Sequence, residues 1–278
     1  MADADGLRVL TWNLWWRFGA WQDRQTAIEA ELAAARPDVC ALQEVWIGPE
    51  GDQAELLAGR LGMHAVVAPS PAPGRWQRRL GDPAIGFANA VLSRWPITRS
   101  AVHELPAHPG EDGERTVLHA EIAAPGGTVD VFTTQLDSAP DRSATRCAQV
   151  EEVVRFVAAR AGTAHPPVVT GDLNAEPDSD EIRRLCGHKT APVVPGTVLV
   201  DAWRYAGPDE AGWTWDRRNP HVAATFEPSA RIDYVLVGPP TAGGRGHVRG
   251  VRLVGDRPVD GVWPSDHCGV LAELGGAR

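Results

Sequence analysis

Polar side chains that break otherwise apolar strand patterns are the first sign of what this 278-residue chain does. Asn13 falls in "LTWNLW", Glu44 in "ALQEVW", Asp172 and Asn174 in "VVTGDLN", Asp233 in "RIDYVLV", and Asp266 with His267 in "PSDHCGV". Burying a carboxylate without a partner costs several kcal/mol. One such residue is explained by a capped turn or a satisfied core polar group. Five such sites, all acid, amide or imidazole, call for a shared partner. A hard divalent cation is the obvious one, because oxygen ligands from Glu, Asp and Asn suit Mg2+ or Mn2+ and no thiolate is placed to favour zinc. Mg2+ is typically held by one or two carboxylates, with waters and substrate phosphate filling the remaining positions. That arrangement fits phosphoester chemistry.

The elements that carry these residues are strand-like and helix-like patterns, interspersed but without the strict alternation of a doubly wound parallel sheet. "LRVLTWNL" reads as a first strand, and "RQTAIEAELAAAR" as a helix that ends at Pro37. "DVCALQEV" is a buried strand, and "GDQAELLAGRLG" a short helix closed by Gly62. The Pro-, Gly- and Arg-rich "PSPAPGRWQRRLGDPAIG" reads as a loop before the strands "FANAVLSR", "TVLHAEIA" and "TVDVFTTQL". A helix over 143–160 is the clearest, with Cys147, Val150, Val154, Val157 and Ala161 as its apolar stripe. Strand "PPVVTGDLN", helix "SDEIRRLC", strand "RIDYVLV" and a final "VRGVRLVG" complete the pattern. Turn residues such as "APGG" between strands predict antiparallel hairpins, and two mixed sheets packed face to face with helices outside fit best. No long linker and no fixed-period repeat divides the chain, so residues 1–278 are expected to form a single domain.

Composition sets the remaining bounds. Hydrophobic residues at 43% and charged residues at 23% are those of an ordinary globular protein. There is no apolar run of the roughly 20 residues that a membrane span needs, and the first residues have no secretory pattern. A cytoplasmic location is the expectation. Four scattered cysteines without a CxxC pair give neither a zinc signature nor a disulfide framework. A net charge of −9 argues against passive coating of nucleic acid.

"TWNLW", "LQEVW", "GDLN", "RIDYVLV" and "SDH" resemble, in order and rough separation, the motifs of the endonuclease/exonuclease/phosphatase superfamily, the DNase I-like group. "GFANAVLSRWPI" and "SATRCAQVEEVVRFV" resemble its internal strand and the helix after its central strand. The resemblance covers about residues 7–274. It implies an α/β fold, a four-layer αββα sandwich of two largely antiparallel mixed sheets flanked by helices, and metal-dependent hydrolysis of a phosphoester. It further implies Glu44 as principal metal ligand, with Asn13 beside it and Asp266 as a further ligand. Asp172 would orient and deprotonate water while touching the metal, and Asn174 would bond the phosphate or nucleophile. His267 would contact the scissile phosphoryl group, held by Asp233 through its second nitrogen. Arg115 matches a position that often contacts phosphate; a surface salt bridge is its plain alternative.

One position departs from the family pattern. Where much of the family ends a strand in Thr-His-Leu, this chain has Gln135, which can donate an amide N–H but can neither carry charge nor transfer a proton. Three readings follow: an enzyme in which the metal, His267 and Arg115 supply the charge stabilisation; one specialised for a good leaving group; or a binding protein without turnover.

The substrate is less defined. "GRWQRRLG" places Arg75, Arg78 and Arg79 around Trp76, a candidate for binding a phosphate backbone and stacking a base. Trp15, in "WNLWWRFGAW", could line a stacking wall or an interfacial surface. The reading is a Mg2+/Mn2+-dependent phosphoester hydrolase with phosphodiesters preferred, acting on nucleic acid, a nucleotide or a small phosphorylated molecule, with no obligate protein partner evident. Phosphomonoester hydrolysis and sphingomyelinase-like cleavage are the enzymatic alternatives.

Overall fold

The computed structural model describes residues 6–276. Strands β1 (Gly6–Asn13), β2 (Val39–Gly48), β3 (Gly51–Asp52), β4 (His64–Pro69) and β5 (Gly86–Ser93) build the first half, with helices α1 (Trp21–Ala35), α2 (Gln53–Leu61) and α3 (Gly74–Leu80). Strands β6 (Ile97–Glu104), β7 (Thr116–Ala124) and β8 (Gly127–Gln135) lead into the long helix α4 (Ser143–Arg160). After it come β9 (Val168–Asp172), α5 (Asp180–Cys186), β10 (Val200–Asp201), the one-turn α6 (Pro220–Ala223), β11 (Asp233–Val237), β12 (Val248–Val254) and β13 (Gly269–Gly275).

These strands form two sheets. One runs β12-β13-β1-β2-β5-β4, with β3 paired to β2; the other runs β10-β11-β9-β8-β7-β6. The β1–β2 and β8–β9 pairs are parallel, and the other neighbours are antiparallel. Val9, Val39, Val91, Leu118, Val131, Val168 and Val270 fill the space between the sheets. Ile28 and Leu32 of α1 and Leu57 of α2 pack on the outer face of the first sheet. Val150, Val154 and Val157 of α4 and Ile182 of α5 cover the second. This is the expected four-layer αββα sandwich. The β2 run "VCAL" is apolar without alternation because both its faces are covered, and all four residues are fully buried.

Several local expectations change. Cys147 is only half-buried; Val153 and Phe156 complete the buried face of α4 instead. "GRWQRRL" is not a loop but helix α3, closed by Gly81 in the left-handed region. "VRGVRLVG" is not the last strand: β13 follows it and lies between β12 and β1. The edge strand β6 was hidden because its faces are mostly exposed, so "ITRSAVHE" carries few apolar residues.

Candidate active site

Parallel pairing brings the informative strand ends to one edge of the sandwich. Asn13 at the end of β1 aligns with Gln43 of β2, and Gln135 at the end of β8 aligns with Asp172 at the end of β9. Asp233, the first residue of antiparallel β11, faces that same Asp172. Glu44 reaches the group through an irregularity: β2 slips register against β5 between Leu42 and Val45, and Glu44 has φ 54°. A bulge of this kind re-aims one side chain without breaking the strand. Asn174 is also left-handed, φ 46°, where the chain leaves β9. Gly171 makes the β8–β9 approach possible: at φ +150° its place allows no Cβ, which would lie 2.0 Å from the Thr134 carbonyl oxygen.

Two side-chain amides tie two carboxylates together. Asn13 Nδ2 donates to Glu44 Oε1 and to Asp172 Oδ2, each at 3.0 Å. Gln135 Nε2 donates to the same two oxygens at 2.7 and 3.1 Å. Asn13 Oδ1 accepts from the Trp15 amide at 2.9 Å, so this residue presents donors to the acids. Expected as a metal ligand, Asn13 turns its side-chain NH2 toward the two carboxylates. Asn174 donates its own amide N–H to Asp172 Oδ1 (3.1 Å) and its side chain to the Leu136 carbonyl (3.1 Å).

Beside the acids, His267 Nδ1 is hydrogen-bonded to Asp233 Oδ2 at 2.9 Å, and Nε2 lies 4.0 Å from Asp172 Oδ2. Burial by itself would lower the imidazole's pKa. The carboxylates of Asp233, Asp172 and Asp266 outweigh it and raise the group well above its ordinary value, which favours the protonated imidazole. Asp266 is pushed up to about 7, first by burial and then by Glu44 and Asp172, against the opposing pull of His267 and Arg24.

The donor set fits a hard cation. Glu44, Asp172 and Asp266 are buried carboxylates, and the first two add to the cost of ionising Asp266, a cost that a divalent ion removes. Asp172, Asp233 and His267 also offer ligand atoms within 4.8 Å of one another. Glu44, Asp172 and Asp266 supply the carboxylate oxygens that a hard cation prefers, and Asp233 is hydrogen-bonded to His267 beside them.

These groups open into a cleft of about 350 Å³ lined by Glu44, Gln135, Asp172, Asn174, Asp266 and His267 on its floor and by Trp15, Trp215 and His221 on its wall. Arg79 also lines it. Trp76 reaches it only by an edge: it is buried and stacked on Phe87, rings 5.2 Å apart and 6° from parallel. It belongs to a buried cluster with Trp16, Trp46, Ile85 and Phe87 and sits on a helix, not a free loop. Arg75 pairs with Glu114 at 3.6 Å, and Arg78 is exposed and outside the cleft lining. Arg115 is buried, pairs with Glu114 at 3.4 Å and bonds Gln135, so it is neither a surface salt bridge nor part of the cleft lining.

Some supports left no sign in the sequence. Buried Arg24 donates to the carbonyls of Leu14, Trp15, Trp16, Phe18 and Pro264, which fixes the loop after β1 and the segment before Asp266. Trp12 Nε1 donates to the His267 carbonyl at 2.9 Å, and Ser265 Oγ to the Asn13 carbonyl at 2.7 Å. An arginine in an amphipathic helix pattern reads as solvent-facing, and only tertiary contact shows otherwise.

Sandwich and acidic cleft together define a phosphoester-hydrolase architecture. The sequence profile of the Endonuclease/Exonuclease/phosphatase family matches residues 10–267, and the chain belongs to that family. Tyrosyl-DNA phosphodiesterase 2 of Gallus gallus is 26% identical over 270 residues, 96% of this chain and 66% of that protein. The Xenopus laevis protein of the same name is 26% identical over 91% of this chain and 62% of its own. The chain thus spans somewhat less than two thirds of the curated relatives it matches. Among solved structures, an endonuclease/exonuclease/phosphatase from Beutenbergia cavernae superposes with TM-score 0.72 at 27% identity, over 98% of this chain and 72% of that one. D. rerio TDP2 complexed with single-strand DNA product superposes with TM-score 0.75 at 20% identity over 97% and 98%, a likeness of fold. Among the described residues no helix is long and apolar enough to cross a membrane.

Proposed function

We propose that this chain, acting as one catalytic domain, is a Mg2+- or Mn2+-dependent phosphodiesterase. The observation that carries the reading is the pair of carboxylates, Glu44 and Asp172, bridged by two amides, with Asp172 4.0 Å from the His267 imidazole in a cleft. Glu44, Asp172 and Asp266 would hold the cation, which supplies Lewis-acid polarisation of the phosphoryl oxygen. Asp172 accepts the proton of the attacking water; its Oδ1 is held by the Asn174 amide. His267 donates from Nε2 to a phosphoryl oxygen while Nδ1 stays bonded to Asp233, which neutralises charge as it develops.

Charge in the cleft favours a diester over a monoester. Arg79 and His267 are the cationic residues among its lining side chains, and Glu227 adds an anion. A singly charged diester needs fewer cations than a dianionic monoester or a polyphosphate. Trp15, Trp215 and His221 offer a wall for a ring-bearing substituent. The relatives named tyrosyl-DNA phosphodiesterase support a nucleic-acid diester with an aromatic leaving group. The four cysteines are free thiols, which fits a reducing compartment such as the cytoplasm.

Bis-p-nitrophenyl phosphate and p-nitrophenyl phosphate, assayed with Mg2+ or Mn2+ and again with EDTA, test this. The diester should turn over faster, and EDTA should abolish the activity. Hydrolysis that survives EDTA, or no cation-dependent hydrolysis of either ester, overturns the proposal.

A further inference from the structure

Gln135 poses a problem that its own contacts state. Both N–H bonds of its amide point at carboxylate oxygens, Glu44 Oε1 and Asp172 Oδ2. An amide rotated by half a turn would put its carbonyl oxygen against two anions. Asn13, which bridges the same oxygens from another strand, is held by the Trp15 backbone amide on its own oxygen. Gln135 has no backbone donor in that role. Its Oε1 accepts from Arg115 Nη1.

Arg115 is built to stay where it is. The side chain is 3% exposed, its Nε lies 3.4 Å from Glu114 Oε1, and the guanidinium sits over Trp76 and Phe87, 5.5 and 5.8 Å from their ring centres. Its Nε, despite the nearby Glu114 carboxylate, and its Nη2 are both buried without a hydrogen-bond partner, a cost that only a contact made elsewhere by the same group offsets. A guanidinium has donors and no acceptor; a carboxylate has acceptors and no donor. A glutamine between the two has a single orientation that satisfies both.

From this juxtaposition we propose that Arg115 is a positioning residue: it acts through Gln135, fixing the amide so that Glu44 and Asp172 are held together in the arrangement that receives the cation. The inference rests on the phosphodiesterase reading for its purpose, though not for its geometry. It also explains how a side chain without charge serves at position 135, since a fixed cation stands one hydrogen bond behind it.

A double-mutant cycle tests the route of action. Mn2+ affinity is measured by calorimetry on substrate-free protein for wild type, Arg115→Met, Gln135→Met and the double variant. The direct field of Arg115 on the ion is present in both backgrounds and cancels in the cycle. Loss of Arg115 should cost about tenfold or more in affinity relative to its effect in the Gln135→Met background, within the range for outer-sphere supports of metal ligands. Equal effects in the two backgrounds overturn the proposal. If Arg115→Met does not fold, Arg115→Lys takes its place in the same cycle, since it keeps the charge and loses the planar fork.

A metal-free measurement separates this proposal from the reading it rests on. The Gln135 side-chain NH2 signals, identified in 15N spectra by their loss in Gln135→Met, should be shifted and slow to exchange in wild type. They should move to ordinary glutamine positions in the Arg115 variant. Unchanged signals there refute the clamp whether or not the protein hydrolyses anything, while an intact clamp in a protein that binds no Mn2+ refutes only the hydrolase reading.

Discussion

At position 135 the structure turns an apparent defect into a definite chemical requirement: an acceptor on one side, for Arg115, and donors on the other, for Glu44 and Asp172. A neutral histidine also carries one acceptor and one donor, on opposite sides of its ring. Gln135→His should therefore keep kcat/KM within about tenfold of wild type, with the ring neutral. Gln135→Glu is nearly isosteric but brings a further carboxylate against two others and offers no donor. Its kcat/KM should fall about 100-fold, the scale on which an active-site polar group is lost. Steady-state kinetics on a diester substrate at saturating Mn2+ decide between these outcomes. A Glu variant as active as wild type would mean that the amide's donors are dispensable.

Strand ends, and not strand interiors, fix where the acids meet, and Gly171 shows how narrow the tolerance is. The parallel β8–β9 pair brings Gln135 to Asp172 only because residue 171 has no side chain against Thr134. Gly171→Ala should destabilise the protein by about 3 kcal/mol or more, since a Cβ against the Thr134 carbonyl adds to backbone strain of about 1–3 kcal/mol. It should also lower activity in whatever fraction folds. Urea unfolding followed by tryptophan fluorescence would measure the first effect, and a stability within about 0.5 kcal/mol of wild type would show that the strands can separate cheaply. Elements of this sort were largely readable in advance. β2, β7, β8, β9 and α4 have apolar periods that few alternatives share, and their polar ends pointed to the site. What stayed hidden has a physical reason in each case. β6 is an exposed edge, so its sequence lacks the core signal; α3 is seven residues long, and its arginines mimic a loop. Arg24 and Arg115 act through contacts with residues distant in sequence, such as Pro264 and Gln135, which no local pattern encodes.

Taken together, the layers give the two ends of the sandwich different tasks. One end gathers the acids; the other, around β7, β8 and the loop before β9, buries His119, Asp130 and His165 with no role in the cleft. His165 is enclosed there, and its Nδ1 lies 2.6 Å from the Pro166 carbonyl, which can only accept, so the proton is on Nδ1. Burial, aided by Arg245, holds the imidazole below its ordinary pKa despite the Pro166 bond and the Asp130 carboxylate. In the unfolded chain a histidine takes up its second proton near pH ~6.5, before the folded one does. Between these two values the unfolded state binds more protons, so stability falls as the pH drops. The contribution is fully present above about pH 6.5 and is lost progressively below it, at no more than about 1.4 kcal/mol per pH unit for one proton. Asp266 and His267, whose pKa values the fold raises, add stability as the pH falls and do so in both proteins. In EDTA-treated protein the melting temperature of wild type relative to that of His165→Gln should therefore decline from pH 7.5 to 5.5, whatever the substitution does to stability at pH 7.5. Asp130 does not confuse the measurement. Although burial opposes it, hydrogen bonds from His119 and the Gly162 amide lower its pKa, so its own stability loss begins only as acid approaches the carboxylate range. An identical pH slope in wild type and His165→Gln would remove His165 from the acid response and return this end of the sandwich to a purely apolar account.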